Sequence, residues 1–174
     1  MADASRPCRR HSLRLRDHSY TAGAYFVTIC SSGRQCIFGT VENGAVSLTP
    51  IGLIVLEEWT RSASLRKELE LDAFVIMPNH MHGILLIHGH ERETGARRVP
   101  LQLKHEKRSL GSFVAGFKSA VTARARKDLG CACGIWQRDF YEHVIRNDRD
   151  LENLRQYVTA NPSRWEEDEN CPSK

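Results

Sequence analysis

His80 and His82, in the run FVIMPNHMHGILLIH, are the residues of this chain best placed to do chemistry. The run is apolar and β-like. On a strand, side chains two residues apart share a face and stand about 7 Å apart at the Cα, so both imidazoles can reach one metal ion. A second pair of the same spacing, His88 and His90, ends the run. Eight residues of strand separate His82 from His90 by about 26 Å, so the two pairs cannot share an ion. The following ERETGARR has no apolar period and reads as a loop, which makes the second pair a strand terminus. Pro78-Asn79 instead forms a turn that opens the strand carrying His80 and His82.

The other residues suited to chemistry lie near the end of the chain. In YVTAN, Tyr157 and Asn161 are four apart and project from one side of a helix near its C-terminus. Leu151, Leu154 and Val158 form the buried stripe of that helix, with Tyr157 at its edge. From the residues alone, a half-buried core tyrosine and a nucleophile both fit this position. Tyr141 is the competing nucleophile, in a strand where Tyr141, His143 and Ile145 share a face. Tyr20 and Tyr25 precede or enter the first strand and read as structural.

The elements that must position these groups alternate between strand and helix. Residues 24–30 (AYFVTIC) read as a strand, and after a turn around Asn43-Gly44 comes a short strand, AVSLT. Thr49-Pro50 opens a helix with Ile51, Ile54, Val55 and Trp59 at helical spacing. Residues 71–77 and 80–87 form an antiparallel hairpin with the histidines near its turn. A polar, basic stretch of about 89–108 is long enough to be a functional loop. Ser109 then starts a helix with Leu110, Phe113, Val114, Phe117 and Val121 in one stripe, flanked by Lys118. Residues 141–146 read as a strand, and Asp148 or Asp150 caps a last helix that Asn161-Pro162 stops. The order implies an α+β domain: an antiparallel sheet with helices packed on it.

At 174 residues the chain is long enough for one domain with a real core. Its net charge of +4 is unevenly distributed. Residues 94–127 hold nine Lys or Arg against Glu106 alone, five arginines stand within the first 16 residues, and 166–169 are all acidic. Basic segments on a near-neutral chain suit a polyanion on part of the surface, though solvated loop and helix faces would look the same. No run of 18 apolar residues and no apolar leader-like segment is present, so the expected location is cytoplasmic. The six cysteines lack the CxxC spacing of a zinc ribbon and are expected as free thiols.

MPNHMHGILLI resembles the H-U-H signature, with U an apolar residue, of metal-dependent single-strand DNA nucleases that use a tyrosine nucleophile. GAYFVTICSSGRQCIFG, SLGSFVAGFKSAV and WQRDFYEHVIRNDRDLENLRQYVTANPSRW resemble the REP-associated tyrosine transposases, over roughly residues 13–165 and in that family's order. The resemblance implies a ferredoxin-like domain over 17–165, between a basic arm (1–16) and an acidic tail (166–174). It implies Tyr157 as the catalytic nucleophile and His80, His82 and Asn161 as ligands of a divalent ion, Mg²⁺ or Mn²⁺. Insertion-sequence relatives have Gln at the place of Asn161; Asn offers the same carbonyl on a shorter arm. The implied reaction is cleavage and rejoining of single-stranded or hairpin DNA through a 5′-phosphotyrosine, by a monomer or weak homodimer. Arg97, Arg98, Lys104, Lys107, Arg108 and Lys118 are the expected DNA contacts. A repeat-DNA-binding relative without turnover, and a hydrolase using water as nucleophile, are the competing readings.

Overall fold

β-Branched and aromatic residues drive the segment after residue 22 into an extended strand, β1 (Gly23–Cys30), which becomes the spine of the molecule. The computed structural model describes residues 22–88, 109–132 and 134–171. β1 lies between β5 (His80–Ile87) and β6 (Tyr141–Ile145), and β4 (Leu69–Ile76) pairs with β5, so the four-stranded sheet runs β4-β5-β1-β6. Every pairing is antiparallel. The chain passes from β1 through α1 (Pro50–Leu65) to the β4–β5 hairpin, then through α2 (Leu110–Leu129) to β6. This is the split β-α-β arrangement of a ferredoxin-like fold, as the resemblance implied.

The sequence did not announce the ribbon of β2 (Gly39–Glu42) and β3 (Ala45–Leu48) as a pair. Its turn is built by Asn43 and Gly44, both at positive φ (53° and 73°), the backbone a tight hairpin requires. α1 starts as expected: Thr49 caps it by accepting from the Gly52 N–H at 3.1 Å, and Pro50 occupies its first turn. α3 (Asp148–Ala160) is capped by Asn147 rather than by Asp148 or Asp150. The Asn147 carboxamide accepts from the Asp150 N–H, which leaves both aspartates in the first turn, where negative charge suits the helix dipole.

Alternation along the strands decides what each layer holds. Tyr25, Val27, Ile29, Met81 and Leu85 belong to the main core with Trp59 of α1 and Phe113 and Phe117 of α2. Gly83 lets the histidine-bearing strand approach α1, because a Cβ at that position would run into the Trp59 ring. The remaining residues of the same strands face α3, which packs on β4 and β5. There Phe26, Ile84, Ile145 and Val158 form a smaller core.

Candidate active site

The strand register sets the site. Thr28 of β1 pairs with His82 on one side and with Tyr141 on the other, and Cys30 pairs with His80. His80 and His82 therefore stand side by side on the α3 face, both buried, with their Nε2 atoms 3.0 Å apart. Each ring is held from behind. The Asn79 amide nitrogen donates to the carbonyls of Arg34 (3.1 Å) and Asn170 (2.6 Å), so its oxygen accepts from His80 Nδ1 at 2.9 Å. That tautomer leaves the His80 Nε2 lone pair aimed into the site. His82 Nδ1 lies 2.9 Å from the Thr28 hydroxyl, which can either donate or accept. Burial pushes His80 down to about 4, and burial with the neighbouring His80 pushes His82 down to about 3. Both rings are neutral near pH 7, the state in which imidazole binds metal.

α3 and the chain beyond it close the other side. Tyr157 sits edge-on to the rings of Phe26 and His82, its hydroxyl 3.4 Å from His82 Nε2. Asn161 follows one turn later and is buried, and its Oδ1 has no hydrogen-bond partner among the described residues. Its Nδ2 donates to Asp168 Oδ2 at 3.2 Å, and Asp168 Oδ1 accepts from the Asn170 N–H and Nδ2 at 2.7 and 2.8 Å. Burial raises the Asp168 carboxyl, but the Asn170 N–H and its other partners outweigh this and hold it below the usual range. One ligand atom each from His80, His82 and Asp168 lies within 4.8 Å of the others. Two imidazole nitrogens, a carboxylate and an orphaned buried carbonyl oxygen are together a donor set that fits a divalent cation. Burial, reinforced by Asp168 and Glu169, pushes the Tyr157 phenol up, with Asn161 pulling the other way, so the hydroxyl is protonated in the metal-free site.

The structure thus brings His80, His82, Tyr157 and Asn161 together. His88 lies elsewhere, paired at the surface with Glu70 at 3.0 Å. His90 and Arg97, Arg98, Lys104, Lys107 and Arg108 fall outside the described residues. Lys118, another of the expected DNA contacts, donates its ammonium to the carbonyls of Gln137, Arg138 and Asp139 at 2.8, 3.3 and 3.1 Å. It anchors the chain segment that leads into β6. Tyr141 is not on a separate site, since it and Tyr157 line one cleft of ≈ 400 Å³ with Phe26, Thr28, His82 and Gln137.

Sequence reasoning missed Asp168, Asn79 and Thr28. Asp168 was hidden in an acidic run that resembles a solvated tail, and Asn79 in a turn where Asn is ordinary. Thr28 carried no local signal, although its two-residue offset from Phe26 and Cys30 puts it on their face. Cys30, Cys36, Cys131 and Cys171 are free thiols, as expected. No helix among the described residues is long and apolar enough to cross a membrane.

No protein-family model matches the chain. Over 168 residues it is 37% identical to an uncharacterized protein of Haemophilus influenzae, a match covering 92% of each chain. A stretch of 29 residues, 17% of this chain and 16% of the other, is 59% identical to a second H. influenzae protein, provisionally named a REP-associated tyrosine transposase. A solved REP-associated tyrosine transposase bound to a REP hairpin shares the fold, with a TM-score of 0.59 at 21% identity over 87% of this chain and 73% of that one. The chain belongs to the family of its full-length H. influenzae relative, and its fold is that of the REP-associated tyrosine transposases whose motifs it carries.

Proposed function

We propose that this protein is a metal-dependent single-strand DNA endonuclease and strand transferase acting on hairpin or repeat DNA, with Tyr157 as its nucleophile. The observation that carries this reading is the phenol 3.4 Å from His82 Nε2, beside a second imidazole, a carboxylate and an unpartnered carbonyl oxygen. The REP hairpin bound by the structural neighbour supports the substrate class.

His80, His82, Asp168 and Asn161 would hold the cation. Their oxygen donors suit Mg²⁺ or Mn²⁺, and the two imidazoles favour Mn²⁺. Once bound, the ion supplies charge neutralisation at the scissile phosphate and acidifies the phenol. Tyr157 Oη gives up its proton to solvent and attacks phosphorus in line, and the P–O3′ bond breaks with its electron pair leaving on the 3′ oxygen. That oxygen takes up a proton, giving a free 3′-hydroxyl and a 5′-phosphotyrosine. Attack by a 3′-hydroxyl on this linkage reverses the step and rejoins a strand without ATP. Tyr157 is 43% exposed at the edge of α3, which lets a flexible single strand reach it. Arg97, Arg98, Lys104, Lys107 and Arg108 supply phosphate contacts to the hairpin. The enzyme works in the cytoplasm as a monomer or weak homodimer.

A labelled hairpin oligonucleotide incubated with Mn²⁺ and run on a denaturing gel should shift the wild-type protein band, and peptide mapping should place the adduct on Tyr157. Tyr157→Phe should bind DNA and metal yet form no adduct, while Tyr141→Phe keeps most activity. An adduct on Tyr141 would reassign the nucleophile. Cleavage without any adduct means a water nucleophile, and binding without cleavage means a repeat-DNA-binding protein.

A further inference from the structure

Tyr141 and Gln137 are left unused by that reaction, yet both open onto the cleft beside Tyr157. His82, Thr28 and Tyr141 form one row across the sheet, so Tyr141 stands two strand spacings, about 10 Å, from the metal-ligand imidazole. That is the separation between a phosphate held at the site and the base of an adjoining nucleotide. The Tyr141 side chain is 50% exposed although it belongs to a sheet face that is buried towards its other end. Neither its hydroxyl nor the Gln137 carboxamide has a hydrogen-bond partner among the described residues.

The wall that carries Gln137 is tied down by hydrogen bonds, while its side chain has no partner among the described residues. The Gln137 N–H donates to the Cys30 carbonyl at 2.9 Å, and Lys118 accounts for the carbonyls of residues 137–139. Trp136 Nε1 donates back to the Lys118 carbonyl at 3.2 Å, and Trp136 bridges Ser31. A fixed backbone presenting an unpartnered carboxamide is preorganised for recognition. The cleft is lined by the carboxylates of Asp139 and Glu169 as well as by the guanidinium of Arg34, so it offers acceptors and a donor rather than a uniformly cationic surface for phosphate. With Phe26, Phe140 and Tyr141 beside these polar groups, the lining suits the flat face and polar edge of a base. At ≈ 400 Å³ the cleft is in the range of small-ligand sites.

We propose that this cleft binds one unpaired nucleobase next to the phosphate attacked by Tyr157, stacked on Tyr141 and read along its edge by Gln137 and Asp139. A carboxamide pairs with adenine N6 and N7, and a carboxylate accepts from the amino group of cytosine, so adenine or cytosine is favoured over thymine. The proposal rests on the nuclease reading for the identity of the neighbouring phosphate, and its test does not depend on turnover.

The test uses the protein, metal-free, with hairpin oligonucleotides carrying 2-aminopurine or an abasic site at each unpaired nucleotide in turn. At one position the wild type should quench 2-aminopurine fluorescence, and an abasic site there should weaken binding about tenfold or more. Tyr141→Ala should bind the natural oligonucleotide as weakly as wild type binds the abasic one, with Tyr141→Phe restoring it. Gln137→Ala should keep the quenching and lose the preference for adenine or cytosine over thymine. Equal binding of abasic and natural oligonucleotides at every position overturns the subsite and needs no protein variant. An adduct on Tyr157 without an abasic penalty removes the subsite alone, whereas quenching and an abasic penalty without any adduct uphold it and remove the nuclease reading alone.

Discussion

The two faces of the central sheet are made by the same strands, yet they do opposite things. Met81, between the two histidines, is fully buried against the α1–α2 layer, where Trp59, Phe113 and Phe117 interlock. His80 and His82 are buried on the other face among polar groups that each orient a ring nitrogen. Burial of apolar surface stabilises the first face, at about 25 cal/mol per Å² removed from water. Burial on the second disfavours charge on the imidazoles and is tolerated because each ring has hydrogen-bond partners. Stability and chemistry are thus separated by the two-residue period of one strand.

Changes on the two faces should separate in the same way. His80→Ala or His82→Ala should abolish DNA cleavage while leaving the melting temperature close to wild type, and His88→Ala should be mild on both counts. The assignment falls if His88→Ala, in a folded protein, loses activity to the same extent. Cleavage should also stop in EDTA and return with Mn²⁺ or Mg²⁺; recovery with Zn²⁺ alone would point to a different site.

On the opposite face, Trp59→Ala should cost about 3–5 kcal/mol of stability in urea unfolding, because a large ring is removed from a close-packed interface with Gly83 and two phenylalanines. A loss below about 1 kcal/mol would mean that this layer is not the stabilising one.

Asp168→Asn sharpens the description of the reactive face. If the carboxylate is a ligand, calorimetric titration should show Mn²⁺ affinity falling about tenfold or more, with Asn161→Ala reducing it as well. Unchanged affinity in Asp168→Asn would leave Asp168 as an anchor for the Asn161 amide.

The smallest effect concerns how α3 is held over the sheet. Arg155 of α3 donates to both carboxylate oxygens of Asp72 on β4 at 3.1 Å, and this pairing holds the Asp72 carboxyl below its usual range. A depressed carboxyl contributes stability that is present above its unfolded value, about 3.9, and is lost as pH falls through the folded value. Asp72→Asn should therefore be slightly less stable than wild type at pH 7, and the two unfolding curves should converge in acid. A constant gap down to pH 2 would mean that the loss is one of packing and not of charge.

Much of this arrangement was legible in the chain because it depends on local period. The stripe of Leu110, Phe113, Val114, Phe117 and Val121 marked α2, and all five are buried. Asn147 was overlooked as a cap because two aspartates next to it carry the same signal. The β2–β3 pair was half visible: Asn43-Gly44 marks a turn, but four-residue strands leave too short an alternation to read. The structural bonds of Lys118 were not legible, since nothing local says that three carbonyls from residues 137–139 converge on it.

His80 and His82 on one strand face, Tyr157 and Asn161 on one side of a helix end, and the apolar stripes that bury these elements were determined by the sequence alone. Backbone geometry repeats every 2 residues in a strand and every 3.6 in a helix, so these relations hold wherever the elements pack. Tertiary structure alone decided that the strand and the helix meet, with Tyr157 against His82, and that Thr28, Asn79, Tyr141 and Asp168 join them. Those partners come from distant parts of the chain: Thr28 pairs with Tyr141 across the sheet, and Asn79 bonds Asn170, 91 residues on. Their meeting depends on strand register and on how α3 and the following chain fold over the sheet, which local spacing does not encode.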